Sequence, residues 1–389
     1  MAMKIRDVET IQFTTYSTVH YTRWGYQYDF FGPPYAVTSS LTRIVTDNGV
    51  EGLCLGGDQA ITNRWIKPLL VGEDPFDRER LWQWMYSLTR WRVSERIIGV
   101  IDMALWDLAG KYFQVPIHKL LGGFRDRVKA YASSGPNLGP PEVYADHADA
   151  CLREGYTAYK VHPYIFYDPV RKQPCPDTLT FPRQDIAVCK AVRERVGDEM
   201  TLMYDPWTVG AGGGYSLEDA LWVGRELEKL DFYWFEQPLL EDRIEAYITL
   251  CQGLTIPVLA PEMSGGSFYT RGEWITRRAA DLIRMECGFG GITAVKKCMD
   301  LCEAYGVKCE LHGGGFGHLQ MLGATSPKLS EWYERGLLGP GFDYEQPRPP
   351  LKRICDPLDG EGNVLIPQTP GLGMELDWDY IEENRVDPL

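Results

Sequence analysis

The 389-residue chain contains no apolar run of membrane-spanning length, which excludes an ordinary transmembrane helix. It also lacks a basic surplus: 40 Lys and Arg stand against 54 Asp and Glu, for a formal net charge of −14. Such a balance disfavours nucleic acid and anionic membranes as partners, although a buried metal can reverse the field locally and admit an acidic substrate. None of the ten cysteines is paired as CxxC. Cys298 and Cys302, one helical turn apart, read as core packing, and scattered thiols of this kind fit a reducing compartment. The opening MAMKIRDVETIQF has no basic segment leading into an apolar one, so a cytoplasmic protein is expected. Low-complexity tracts are missing too. Histidine is scarce, with six in the chain.

With 44% hydrophobic and 24% charged residues, the chain has the make-up of a soluble globular protein, and its length suits two domains, or one barrel with an attached cap. Residues 5–13 form a strand candidate. Residues 39–57 hold two more around Asp47-Asn48-Gly49, a hairpin signal. Between them, residues 14–37 are crowded with Tyr, Trp, Phe, Gly and Pro in no clear period. They are expected to form a long irregular loop, a kind that is usually functional. Helical patterns follow at 74–88 and 94–113. Residues 1–125 are thus expected to be an α+β capping domain.

From 126 to 339 the texture becomes strand, helix, strand. The strand candidates are VKAYAS, AYKVH, TLMYD, FYWFE, VLAPE, LIRME, VKCEL and SEWYE. Eight such units fit a (β/α) barrel, whose active site lies at the C-terminal ends of its strands. Residues 340–389, rich in Pro and Gly, are expected to pack back on the cap.

The strand ends carry Lys160 and His162, Asp205, Glu236, Glu262, Glu286, His312, and then Glu331 and Glu334. From Asp205 to His312 the successive steps are 31, 26, 24 and 26 residues, each about one βα unit. Carboxylates on consecutive strands would repel one another unless a cation sat among them, and a hard oxygen set favours Mg²⁺, with Mn²⁺ as a substitute. Lys160 and His162 share a face, and mutual repulsion plus the metal is expected to give a base near neutrality. His312 stands across the barrel, where Glu286 could accept its other N–H. His118 and His147 lie away from the strand ends and read as packing or surface residues. His20 and His318 could touch the site.

Taken together, AYKVH, YDPW, FEQP, APE, the GGIT after strand six and the strand-seven His312 resemble the enolase superfamily, and within it the mandelate-racemase-like group. The resemblance covers nearly the whole chain and implies a modified (β/α)-barrel with an α+β N-terminal capping domain. It implies Asp205, Glu236 and Glu262 as Mg²⁺ ligands, the second residue of the strand-two triplet as one base, and His312 with a sixth-strand acid as the other. This chain departs from the pattern at His162, where lysine is commoner, and at Glu286, where Asp is usual and Asp281 is the lesser candidate. Trp207 stands where a polar residue often sits. An insertion at 165–184 would form a pocket wall, a lid or an oligomer contact.

The implied activity is dehydration of a small-molecule carboxylate, a sugar acid. His162 or Lys160 would take the proton beside the carboxylate and His312 would assist loss of the β-hydroxyl, giving a 2-keto-3-deoxy acid. Racemisation, epimerisation or cycloisomerisation would use the same groups. Substrate contacts are expected from Trp207, His20, Tyr26 and Glu334, and the protein is expected to be a homo-oligomer. A non-catalytic role would leave the full set of ligands and bases unexplained.

Overall fold

The computed structural model describes residues 3–22, 25–89, 91–164, 167–168, 173–174, 181–207 and 214–386, without the side chains of 19–32 and 165–180. An antiparallel sheet opens the chain: β1 (Ile5–Thr22), β2 (Gly25–Thr46) and β3 (Glu51–Leu55), in that order. The β2–β3 turn falls at the expected Asp47-Asn48-Gly49, with Gly49 at φ 85° and the Asn48 side chain accepting from the Val50 N–H. The expected irregular loop is instead the far half of a long β1–β2 ribbon, in which Tyr16 pairs with Ala36 and Val19 with Phe31. Inward alternation runs through Ile11, Phe13 and Thr15 and then stops, while Tyr16 is exposed. A ribbon that leaves the core loses the period-two signal but keeps its aromatic and β-branched composition.

The helix α1 (Arg78–Thr89) packs against α2 (Glu95–Phe113) and the barrel helix 291–305, and α2 packs on β2 and β3 and on that same barrel helix. The approach of α2 is close. A Cβ on Gly52 would meet Ala104 O at 2.0 Å, and one on Gly99 would meet the Gly288 carbonyl oxygen at 2.8 Å. Buried Asp107 accepts the N–H groups of Leu53 and Leu372, each at 2.8 Å, and so ties β3 to the C-terminal tail.

All eight expected barrel strands form. They are β4 (Arg127–Ser134), β5 (Ala158–Val161), β6 (Thr201–Tyr204), β7 (Phe232–Glu236), β8 (Val258–Leu259), β9 (Leu282–Met285), β10 (Lys308–Leu311) and β11 (Trp332–Leu338). The hydrogen-bonded order runs β10, β9, β8, β7, β6, β5, β4, β11, all parallel. Between β10 and β11 the Cys309 N–H reaches Leu329 O at 2.8 Å. The buried Glu310 carboxylate accepts the N–H groups of Glu331 at 2.9 Å and Trp332 at 3.1 Å. A side chain therefore does what a ladder does elsewhere in the ring. The outer helices are α3 (Pro141–Arg153), α4 (Pro182–Val196), α5 (Leu217–Lys229), α6 (Ile244–Gly253), α7 (Ser267–Arg277), α8 (Gly291–Tyr305) and α9 (Phe316–Gly323).

Beyond the barrel, β12 (Asn363–Leu365) pairs antiparallel with β4. Then α10 (Trp378–Glu383) brings the chain back to β1, where the Val386 N–H bonds to Gln12 O at 2.9 Å. No described helix is long and apolar enough to cross a membrane.

Inside the barrel, Tyr131, Ala158, Met203, Trp234, Leu259, Leu282 and Trp332 form one buried apolar cluster. Side chains two residues apart on a strand share a face. Two residues past Ala158, Met203, Trp234, Leu282 and Trp332 stand Lys160, Asp205, Glu236, Arg284 and Glu334. The apolar layer is the floor, and the charged layer lies directly above it.

Candidate metal centre and active site

Asp205, Glu236 and Glu262 each offer a carboxylate oxygen within 4.8 Å of the others, and all three residues are buried. These are the expected metal-ligand candidates, brought together by neighbouring strand ends. Burial together with Glu236 and Asp205 pushes the Glu262 carboxyl up to about 8, although His312 pulls the other way. Its Oε2 is buried without a hydrogen-bond partner. Carboxylates held this close, with an unmatched buried oxygen, fit a divalent cation.

Lys160 is buried in the same layer. Its Nζ lies 2.8 Å from Glu334, 3.0 Å from Glu236 and 3.4 Å from Asp205. Burial opposes its charge, but Glu236 and Glu334 outweigh that and hold the amine well above the ordinary lysine range. Contacts with these carboxylates therefore favour the charged amine at Lys160. Repulsion from one neighbouring imidazole is small beside three carboxylates in contact.

His162 stands one layer higher, beyond the end of β5. Its Nδ1 donates to Ser134 O at 2.6 Å, and its backbone N–H to Ser134 Oγ at 2.9 Å. Its Nε2 lies 2.9 Å from Asp205 Oδ2. His162 and Lys160 overcome the burial of Asp205 and bring that carboxyl down to about 2.

Across the triad, His312 Nε2 lies 3.1 Å from Glu262 Oε1 and its Nδ1 lies 3.2 Å from Glu286 Oε2. Burial disfavours the imidazolium, yet Glu262 and Glu286 more than offset it and push His312 up to about 9. The expected Glu286–His312 pair is therefore in contact. Asp281 instead accepts the Val258 N–H at the start of β8, far along the strand from the mouth.

Of the expected substrate contacts, Glu334 lies within the charged layer, and its Oε2 also accepts the Gly313 N–H at 2.7 Å. Glu331, on the opposite side of β11's start, accepts from the Tyr233 hydroxyl at 2.8 Å and is not part of this ring. Trp207 sits at φ 53°, a costly conformation for a bulky residue. Its N–H bonds to Asp205 Oδ1 at 2.7 Å, and its ring centroid is 4.8 Å from that of His162. The side chains of His20 and Tyr26 lie outside the described residues. His318 turns its Nε2 to the Cys287 N–H at 3.3 Å, and burial brings it down to about 4. His118 and His147 are both buried and packed, not at the surface. Of the insertion, residues 167–168 and 173–174 form an antiparallel pair.

Sequence reasoning missed Arg284. It is fully buried, with Nε 2.7 Å from Glu236 Oε1 and Nη2 2.6 Å from Glu334 Oε2. An arginine inside the apolar strand LIRM, two before Glu286, was the available signal. Ser134, which orients His162, carried no comparable one.

Two family models match the chain: "Mandelate racemase / muconate lactonizing enzyme, N-terminal domain" over residues 37–122 and "Enolase C-terminal domain-like" over residues 143–380. The chain is 29% identical over 369 residues to the D-galactarolactone cycloisomerase of Agrobacterium fabrum, covering 89% of this chain and 91% of that one. It is 29% identical over 362 residues to the arabinonate dehydratase of Saccharolobus solfataricus, covering 88% and 90%. Among solved structures, the D-glucarate dehydratase of Agrobacterium tumefaciens complexed with magnesium superposes with a TM-score of 0.91. That protein is 36% identical, with 100% of both chains covered.

Proposed function

We propose that this chain, which belongs to the mandelate racemase / muconate lactonizing enzyme family of the enolase superfamily, is a Mg²⁺-dependent dehydratase of a sugar acid. The observation that carries the reading is two imidazoles flanking one carboxylate triad. His162 meets Asp205 at 2.9 Å, and His312 meets Glu262 at 3.1 Å from the other end of the strand arc. Similarity to arabinonate and D-glucarate dehydratases supports the same reaction class.

Asp205, Glu236 and Glu262 would hold the cation. When bound, Mg²⁺ neutralises the substrate carboxylate and makes the adjacent C–H acidic enough to ionise. Because Ser134 O fixes a proton on Nδ1 of His162, Nε2 is the nitrogen that takes the proton from C2. Lys160, held cationic by three carboxylates, keeps negative charge tolerable beneath the reacting carbon. His312, held protonated between Glu262 and Glu286, gives its proton to the departing C3 hydroxyl, which leaves as water. The enol then tautomerises to a 2-keto-3-deoxy acid. Trp207, whose ring lies beside that of His162, and Glu334 would touch substrate. The cation could also be Mn²⁺, which accepts the same oxygen donors.

The test is a panel of aldonic and aldaric acids with Mg²⁺, read as keto-acid formation and repeated with EDTA. Turnover that survives metal removal, or no keto acid from any member, refutes the proposal. The cycloisomerase relative supports a second reading, ring opening of a lactone by the same pair of imidazoles. Conversion of a lactone with no loss of water from acyclic acids would select it.

A further inference from the structure

Two metal-ligand candidates, Glu236 at the end of β7 and Glu262 in the loop after the adjacent β8, are joined through one side chain. Glu241 follows β7. Its carboxylate accepts the backbone N–H of Glu262 itself, the N–H of Met263 at 2.8 Å and the Ser264 hydroxyl at 2.6 Å. It also accepts Nε2 of Gln237 at 2.7 Å, and Gln237 is the residue directly after Glu236. The carbonyls of the same loop are gathered from the opposite charge. Buried Arg271 on α7 donates to Glu262 O at 2.9 Å, to Pro261 O at 3.4 Å and to Ser264 O. In the loop 261–264, the N–H groups of Glu262 and Met263 thus sit on an anion, and the carbonyls of Pro261, Glu262 and Ser264 on a cation.

This bracing meets a physical need. Without a cation, Glu236 and Glu262 repel each other, and a free loop would let Glu262 swing away. Reforming the site would then cost ordering entropy at each binding event. We infer that Glu241 and Arg271 are positioning residues that pre-form the cation site. Their rigidity would fit it to a small octahedral ion and against a larger, more adaptable one such as Ca²⁺, because Mg²⁺ demands near-ideal geometry and Ca²⁺ does not. The inference rests on the metal site of the proposed function.

The same strand supplies an internal control. At its opposite end, the Glu228 carboxylate accepts the N–H groups of Thr255 and, at 3.1 Å, Ile256. That is the same chemistry on the face of the barrel that serves stability alone. The experiment strips the full-length protein with EDTA and titrates Mg²⁺ and Ca²⁺ separately by calorimetry, for wild type, Glu241→Gln, Arg271→Lys and Glu228→Gln. Gln at 241 would direct an NH₂ group at backbone donors.

Glu241→Gln is expected to weaken Mg²⁺ binding about 10–100-fold. Ca²⁺ binding should change several-fold less, so that the Mg²⁺/Ca²⁺ preference falls. Arg271→Lys should move in the same direction, while Glu228→Gln lowers Tm and leaves both affinities at wild-type values. If Glu241→Gln binds Mg²⁺ as wild type does, or loses both ions in equal proportion, the brace is overturned while the metal site stands. Absence of Mg²⁺ binding to wild type would instead overturn the site, and the brace with it.

Discussion

Arg284 offers the sharpest test of the charged layer, because it reaches the site from below and is not proposed to touch a reacting atom. It is fully buried and bridges Glu236 at 2.7 Å and Glu334 at 2.6 Å, while also donating to Leu311 O at 2.8 Å and to the Tyr131 hydroxyl at 3.0 Å. Arg284→Met keeps much of the volume and removes the cation. Two buried carboxylates then lose a partner each, and breaking a buried pair costs about 3–5 kcal/mol. Lys160 still contacts both acids, so the two losses do not add, and about 4 kcal/mol is expected in EDTA. Urea unfolding followed by tryptophan fluorescence measures it. In saturating Mg²⁺ the loss should shrink, since a cation on Glu236 replaces part of the missing charge, and the Mg²⁺-induced rise in midpoint should exceed that of wild type. Arg284→Lys restores a point charge without the planar fork and should recover about half of the difference. A cost in EDTA of less than about 1 kcal/mol for Arg284→Met would mean that these three side chains do not form a buried ionic layer at all.

Two further outcomes follow from other parts of the molecule. His312→Asn should lower turnover by about 10²–10⁴-fold, the usual contribution of a positioned acid or base, with unchanged near-ultraviolet circular dichroism; near-normal turnover would remove His312, at the end of β10, from the mechanism. His147 is buried, bonded through Nδ1 to the Tyr159 hydroxyl at 2.8 Å, and burial brings it down to about 4 from an ordinary 6.5. The unfolded chain therefore binds a proton below about 6.5 that the folded protein refuses until about 4. Stability tied to neutral His147 is full above 6.5 and falls by roughly 3 kcal/mol across that window. In His147→Gln the unfolding free energy should lose less between pH 7 and pH 4.5, and an unaltered slope would refute the linkage.

Much of the fold could be read directly because barrel strands buried on both faces are short apolar runs, and each of the eight expected ones forms. The site was legible for a related reason. A strand that ends in Asp or Glu after apolar residues has no packing explanation, and Asp205, Glu236 and Glu262 do converge. Reading only the last residue of each strand was too coarse. The two-residue alternation puts Ala158, Lys160 and His162, and likewise Leu282, Arg284 and Glu286, in three successive layers, and that would have exposed Arg284 and separated Lys160 from His162. The β1–β2 ribbon was not legible. Among its described side chains, 16–18 and 33–38 include none that is buried, so no period shows there, and aromatic, Gly and Pro content by itself resembles a loop. Glu241 and Ser134 act through backbone groups of residues distant in sequence, and no local pattern marks such a partner.

The division of labour within the triplet 160–162, at the end of β5, follows from depth. A base must offer a lone pair, and Lys160 could do so only by abandoning Glu334, Glu236 and Asp205, all within 3.4 Å. Deprotonation there would leave buried anions uncompensated, which is the same cost that holds the amine charged. His162 carries a lighter burden: Nδ1 is committed to Ser134 O, and Nε2, beside Trp207, faces one carboxylate, Asp205 at 2.9 Å, where Lys160 faces three. Exchange of the C2 proton with deuterated solvent separates the two roles. His162→Asn should cut that exchange by about 10²–10⁴-fold, in excess Mg²⁺ as well. Lys160→Met should lower stability in EDTA by about 3–5 kcal/mol while exchange, measured in excess Mg²⁺, remains detectable. The opposite pattern, with exchange abolished by Lys160→Met and retained in His162→Asn, would move the base one layer down and reverse the assignment.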